Sequence, residues 1–330
     1  MIRAISTPNI ALIKYWGNRN TALRLPAADS LSITLDQPSV EVLLEKAAQF
    51  SVKSFVADGS ERALSEKERA RLLMHFNAIQ KYVHENGMGE DFPEGVSIEI
   101  HSKIPTGVGL ASSAAVFSAL AEGYAGFIPG ISRRDISVLA RFGSGSASRS
   151  VYGGVVSMIA GEGDGADASY AQQIAPESHW KLHDVIVIPS HKEKETGSTE
   201  GHALAQTSPL FEKRLSEIAS RQKICIEAIL RRDFEKLRRV SEEDNADMHA
   251  VMQSCEPSLN YLSDETHRII GEIIDLRLKE KLNVLYTMDA GPTAHLICDE
   301  SALVAVRAFA VAQKGCTVFE AGIGHGSRIL

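Results

Sequence analysis

Along the first hundred residues, apolar side chains fall mostly on alternate positions. Ser30-Leu31-Ser32-Ile33-Thr34-Leu35 alternates strictly, the period of a strand with one buried face. Val40, Val42 and Leu44, and then Ser51 to Phe55, continue the pattern and predict two strands joined by Lys46-Ala47-Ala48. Between Ser65 and Glu85 the spacing lengthens, and Leu72, Leu73, Phe76, Ile79 and Val83 share one face of a charged helix. Val96 to Ile100 is again a strand, and it delivers the chain to Pro105-Thr106-Gly107-Val108-Gly109-Leu110-Ala111-Ser112-Ser113-Ala114. The small, apolar run Ala115–Ala121 behind that loop reads as a buried helix. A further helix spans 132–141, with Ser132 as its cap and Ile136, Leu139 and Ala140 facing inward.

Gly161-Glu162-Gly163-Asp164-Gly165 reads as an exposed turn and a candidate linker. In the second half, Asp184 to Pro189 is a buried strand, and helices are expected around 211–230, 233–249 and 265–276. A last strand runs into Asp289, reverses at Gly291-Pro292 and returns. Mixed elements in a chain of 330 residues predict an α+β fold of two domains, divided as 1–183 and 184–330.

Composition narrows the function classes. With 44% hydrophobic and 23% charged residues the chain is an ordinary globular protein. Apolar runs such as Val185–Ile188 are far short of a membrane span, and Met1 to Ser6 lacks the apolar region of a secretion signal. The expectation is a cytoplasmic protein without a membrane partner. A formal charge of −7 argues against nucleic-acid binding. Four widely spaced cysteines suggest neither a disulfide framework nor a zinc site. An acidic chain that handles anions must concentrate its cations locally, so individual lysines and arginines carry the information.

Four stretches carry candidate chemistry. The loop Gly107, Val108, Gly109, Leu110, Ala111, Ser112, Ser113 leads into a helix start, where unpaired N–H groups and the helix dipole favour a phosphate. Ser112 or Ser113 could add a hydroxyl or hold a cation bound to that phosphate; glycines alone are equally consistent with a loop that only caps a core helix. Lys14, inside Asn9-Ile10-Ala11-Leu12-Ile13-Lys14-Tyr15-Trp16-Gly17, is either a snorkelling surface lysine or a partly buried cation facing an anion. Arg149, alone among Gly143-Ser144-Gly145-Ser146-Ala147-Ser148, is either a structural ion-pair partner or the fork of a carboxylate nest. Asp289, in Tyr286-Thr287-Met288-Asp289-Ala290-Gly291-Pro292, would by default be a turn former, and His249 a satisfied core histidine.

The loop resembles the Pro-x-x-x-Gly-Leu-Ala/Gly-Ser-Ser-Ala signature of the GHMP kinase superfamily. The other stretches resemble the Asn-Ile-Ala-x-x-Lys-Tyr-Trp-Gly-Lys, Gly-Ser-Gly-Ser-Ala-x-Arg-Ser and Tyr-Thr-Phe/Met-Asp-Ala-Gly-Pro-Asn motifs of its mevalonate diphosphate decarboxylase branch. The motifs occur in family order over essentially the whole chain. The resemblance implies a GHMP fold, with an N-terminal ribosomal-S5-like α+β domain, a C-terminal ferredoxin-like domain and the active site in the cleft between them. It further implies ATP on Gly107–Ser113 with Mg²⁺ at Ser112, and Asp289 as the base that deprotonates a tertiary hydroxyl. Lys14 would hold Asp289 ionised, and Arg149 would grip the substrate carboxylate. Tyr15, Asn18, Arg19, Ser146, Ala147, Ser148, Thr199 and His202 would contact the substrate, and a homodimer is expected.

One departure bears on the substrate. Where the family has the second lysine of Lys-Tyr-Trp-Gly-Lys, this chain has Asn18. That favours mevalonate 5-phosphate, giving isopentenyl phosphate, over the 5-diphosphate, although neighbouring Arg19 could compensate. A kinase without decarboxylation and a non-catalytic ligand-sensing paralogue are the alternatives from other classes.

Overall fold

The computed structural model describes residues 1–89, 91–104, 112–189 and 197–330. The expected phosphate-loop residues Gly107, Val108, Gly109, Leu110 and Ala111 therefore lie outside the described residues.

In chain order the first half contains β1 (Ile2–Ser6), β2 (Asn9–Ile13), β3 (Asn18–Asn20), β4 (Leu25–Pro26), β5 (Ser30–Thr34), β6 (Val40–Ala47), β7 (Ser51–Phe55), α1 (Glu66–Glu85) and β8 (Gly95–Ser102). Helices α2 (Ser112–Ala125) and α3 (Arg133–Gly143) follow, then a 3₁₀ turn over Gly145–Val151, and the hairpin β9 (Val155–Ile159) and β10 (Tyr170–Ala175). The second half has β11 (Leu182–Ile188), α4 (Ser198–Leu204), α5 (Phe211–Arg231), α6 (Phe234–Ser254), α7 (Asp264–Glu280), β12 (Val284–Thr287), β13 (Ala294–Asp299), α8 (Leu303–Val311), β14 (Thr317–Gly322) and β15 (Arg328–Ile329).

The strands form three larger sheets, ordered β15-β1-β6-β8-β7, β10-β9-β5-β2 and β12-β13-β11-β14. β6 and β7 are the two expected strands, but they do not pair with each other. β8 lies between them, antiparallel to β6 and parallel to β7, because α1 supplies the crossover that a parallel pair needs. Helix α1 starts at a capping box of Ser65 and Glu68, and its Leu72, Phe76, Ile79 and Val83 are buried as the periodicity predicts. Leu73 is instead exposed, one residue off the apolar stripe. Ser132 caps α3 by accepting from the Asp135 N–H. Helix α2 packs on β1 and β6, where Gly123 is required: a Cβ there would lie 2.6 Å from Leu44 Cδ1.

Two further expectations change. All five residues of β5 are buried, because the strand lies inside the second sheet and its polar face is covered as well. Gly161–Gly165 belongs to the turn of the β9–β10 hairpin, whose strands pair antiparallel from Ile159 and Tyr170 outward, so it is not a linker. The turn that bears Asp289 joins β12 to β13, which pair antiparallel as expected. Among the described residues, no helix is long and apolar enough to cross a membrane.

Candidate functional site

Lys14 follows directly on the buried strand β2, and its main chain is held from both sides. Its N–H donates to Asp244 Oδ2 at 2.7 Å, and its carbonyl accepts from Arg214 at 3.0 Å. Arg214 on α5 and Asp244 on α6 pair with each other at 3.1 Å, with side chains 1% and 0% exposed. So fixed, the Lys14 ammonium donates to Asp289 Oδ1 at 2.7 Å. The lysine side chain is 1% exposed and that of Asp289 42%, because the carboxylate faces an open cavity. Asn245 supports the Asp289 turn by donating to the Met288 carbonyl at 2.8 Å.

The electrostatics follow from this placement. Burial pushes the Asp289 carboxyl up, but Lys14, helped by His295 and Arg149, more than offsets this and leaves it below the ordinary carboxylate range. Burial holds Lys14 below the ordinary lysine range against the pull of Asp289. The 2.7 Å contact between Nζ and the carboxylate is the geometry of an ion pair.

Arg149 lies on the 3₁₀ turn, and its guanidinium is held by neutral oxygens. Nε donates to Ser32 at 3.0 Å, one terminal nitrogen to Ser30 at 2.7 Å and the other to Asn9 at 3.2 Å. The polar face of β5 is therefore spent on this arginine. Burial lowers its pKa to about 10, so it remains a cation at neutral pH with no carboxylate of its own among these partners.

Lys14, Arg149 and Asp289 line one cavity of about 340 Å³, together with Ser112 and Ser113 from the start of α2. His202 closes one side, with its ring centroid 4.2 Å from that of Tyr15 and 4.5 Å from that of Trp16. The Gly17 N–H donates to His202 Nδ1 at 2.9 Å, so the proton of the neutral ring is on Nε2. Burial, with Arg24 and Arg149 nearby, lowers this histidine to about 3 and keeps it neutral.

Comparison with known proteins bears on what such a cavity is. The family model described as the diphosphomevalonate decarboxylase-like N-terminal domain matches residues 6–171, and that of the mevalonate 5-diphosphate decarboxylase C-terminal domain matches 184–317. The chain belongs to the diphosphomevalonate decarboxylase family. A diphosphomevalonate decarboxylase from Ganoderma lucidum is 36% identical over 302 residues, spanning 87% of this chain and 75% of the relative. That of Homo sapiens is 36% identical over 297 residues, spanning 87% and 74%. Among solved structures, mevalonate diphosphate decarboxylase from Staphylococcus aureus superposes with a TM-score of 0.87 at 27% identity, covering 100% of this chain and 97% of that one. A complex of MDDEF with MVAPP, AMPPCP and magnesium gives the same TM-score and identity, covering 100% and 98%. The expected GHMP-type α+β fold is the one observed.

Within this decarboxylase fold, the expected site residues divide. Lys14, Tyr15, Ser112, Ser113, Ser146, Arg149, Thr199, His202 and Asp289 line the cavity. Ala147 and Ser148 are buried in the 3₁₀ turn behind it and serve its packing. Asn18 is buried beside the cavity without lining it, and its Oδ1 accepts from the Tyr15 hydroxyl. Arg19 is turned to the β9–β10 hairpin, donating to the carbonyls of Ala160 at 2.8 Å and Gly161 at 3.1 Å. Sequence reasoning passed over Arg24 and Arg71, which also line the cavity, and the Arg214–Asp244 clamp on Lys14. A leucine-flanked arginine at 24 was the available signal for the first; α1 is charged throughout, so nothing marked Arg71.

Proposed function

We propose that this chain is an ATP- and Mg²⁺-dependent carboxy-lyase that removes CO₂ from mevalonate 5-diphosphate and yields isopentenyl diphosphate, ADP and phosphate. The observation that carries the reading is the Lys14–Asp289 pair at 2.7 Å in the same cavity as Arg149, in a chain whose relatives bear the decarboxylase name. The magnesium and nucleotide analogue of the MDDEF complex support the cofactor assignment.

In this mechanism Asp289, kept ionised by Lys14, accepts the proton of the tertiary 3-hydroxyl as that oxygen attacks the γ-phosphorus of ATP and ADP departs. Arg149, its fork fixed by Ser30, Ser32 and Asn9, binds the substrate carboxylate and orients the C–C bond to be broken. Phosphate then leaves carbon 3 with its bonding electrons. The electron pair released with CO₂ becomes the new carbon–carbon double bond. A tertiary carbon tolerates the developing positive charge, so phosphorylation alone makes the departure feasible.

Among the described residues no group of three or more His, Cys, Asp or Glu forms a metal site. The donor set that fits Mg²⁺ is hard oxygen from Ser112 or Ser113 together with the nucleotide phosphates, and the ion would neutralise phosphate charge there. The two-domain division at 183/184 belongs to this proposal, supported by the adjoining family matches at 6–171 and 184–317. So does the homodimer, which sedimentation would check.

A second reading, mevalonate 5-phosphate as substrate, is favoured by residue 18. It is a neutral, buried asparagine whose carboxamide is engaged by Tyr15, so it brings no positive charge to the cavity. Steady-state kcat/KM for the 5-diphosphate, the 5-phosphate and unphosphorylated mevalonate decides between the readings. The main reading expects the diphosphate to be the best of the three; a monophosphate preference would replace it with the second.

A further inference from the structure

The cavity lining carries four cationic side chains, Lys14, Arg24, Arg71 and Arg149, against one carboxylate, Asp289, among the described residues. Lys14 is matched by Asp289, and Arg149 is assigned to the substrate carboxylate. Arg24 and Arg71 are left over. Their hydrogen bonds run to neutral carbonyls: Arg24 Nε donates to Phe142 at 3.0 Å and Arg71 to Gly143 at 2.8 Å, at the C-terminal end of α3. Arg71 lies over the Phe117 ring at 4.6 Å, and its Nε is buried without a partner among the described residues. Burial, and then Arg24 itself, lowers Arg71 to about 10, so the two like charges act on each other. Arg24 lines the same cavity as Tyr15 and His202, two of the residues expected to contact the substrate.

The Arg24 backbone lies in the left-handed region at φ 50°, a conformation that glycine adopts without strain.

We propose that Arg24, with Arg71 beside it, forms the subsite for the phosphate on carbon 5 of the substrate. Arg24 is then the specificity-determining cation that residues 18 and 19 do not supply. The inference rests on the reading that the substrate is a phosphorylated mevalonate, and it holds for either phosphate form.

The test is calorimetric titration of the wild type, Arg24→Gln and Arg24→Gly with mevalonate 5-phosphate, mevalonate 5-diphosphate, unphosphorylated mevalonate and ATP. Glutamine keeps an N–H donor for the Phe142 carbonyl, and glycine relaxes the left-handed turn. Both variants should bind the phosphorylated mevalonates at least tenfold more weakly, equivalent to about 1.4 kcal/mol. Unphosphorylated mevalonate and ATP should change less than twofold, and the Tm of Arg24→Gly should be unchanged or higher. A greater loss for the diphosphate than for the monophosphate would assign both of its phosphates to the pair. Weakened ATP binding with substrate binding intact would overturn the proposal, as would unchanged phosphate affinity in a folded variant. A wild type that binds the phosphorylated mevalonates but releases no CO₂ would refute the decarboxylase reading and leave the subsite standing.

Discussion

Replacing Asp289 by asparagine separates two consequences of the Lys14–Asp289 pair. The carboxamide would still offer an oxygen to the ammonium that lies 2.7 Å from Asp289 Oδ1, but without charge and without basicity. Loss of a positioned base costs about 10²–10⁴ in rate, or roughly 2.7–5.4 kcal/mol at 1.36 kcal/mol per tenfold. The second consequence is structural. The Lys14 side chain is 1% exposed, so its charge stays buried without a counter-ion. Breaking a buried pair costs about 3–5 kcal/mol. With the carboxylate open to the cavity, solvent screening argues for the low end, about 3 kcal/mol. At about 2.1 cal/mol/K of unfolding entropy per residue, a chain of 330 residues shifts by about 1.4 °C per kcal/mol, so Tm should fall by about 4 °C. The double variant Lys14→Met with Asp289→Asn removes the stranded charge and should recover most of that Tm while remaining inactive.

The pH dependence has a definite sign. Burial already holds Lys14 below the ordinary lysine range, and losing Asp289 removes the main opposing pull. In the single variant the native state therefore sheds this proton at lower pH than the unfolded chain, and its stability rises with pH. The Tm gap to wild type should shrink as pH rises towards the ordinary lysine range. Differential scanning calorimetry across pH, paired with ADP release, reads both effects. A Tm gap constant with pH, or a double variant no more stable than the single, would refute the claim that Lys14 is held charged by Asp289.

Three other outcomes follow from the site geometry. Arg149→Lys keeps the charge but cannot reproduce three fixed contacts to Ser30, Ser32 and Asn9, so kcat/KM should fall at least tenfold; an unchanged value would move the carboxylate site elsewhere. Asn18→Lys adds a cation beside the cavity and should shift the diphosphate-to-monophosphate ratio of kcat/KM towards the diphosphate by about tenfold or more; no shift would remove residue 18 from substrate selection. Asp244→Asn loosens the clamp on the Lys14 peptide and should lower kcat more than it raises KM, whereas a pure KM effect would argue against a positioning role.

The parts of this site that were legible in the sequence are those whose chemistry is local. Lys14 stands out as a charge in an apolar strand, Arg149 as a lone cation among small residues, and Asp289 as an acid on a tight turn. All three line one cavity. Asn18 and Arg19 show where adjacency misleads. They are neighbours of Tyr15 in the chain, yet one is buried behind its hydroxyl and the other is turned to carbonyls of the β9–β10 hairpin. Arg24 and Arg71 were invisible for the opposite reason. An arginine on a charged helix or a surface-like turn looks solvated until α3 and the cavity wall are packed against it. The same holds for Arg214 and Asp244, 30 positions apart on two helices, which meet only when α5 and α6 pack. The full burial of β5 also depended on tertiary packing, since alternation predicts one covered face and the second was covered by the contacts of Ser30 and Ser32 with Arg149.

The most direct test of the central claim is the stoichiometry of a single turnover. Enzyme mixed with ATP, Mg²⁺ and mevalonate 5-diphosphate labelled at the carboxyl carbon, and with the 5-phosphate in parallel, should release ADP, phosphate and labelled CO₂ in equal amounts from at least one of the two. ADP formed without CO₂ from either would show a kinase and contradict the account.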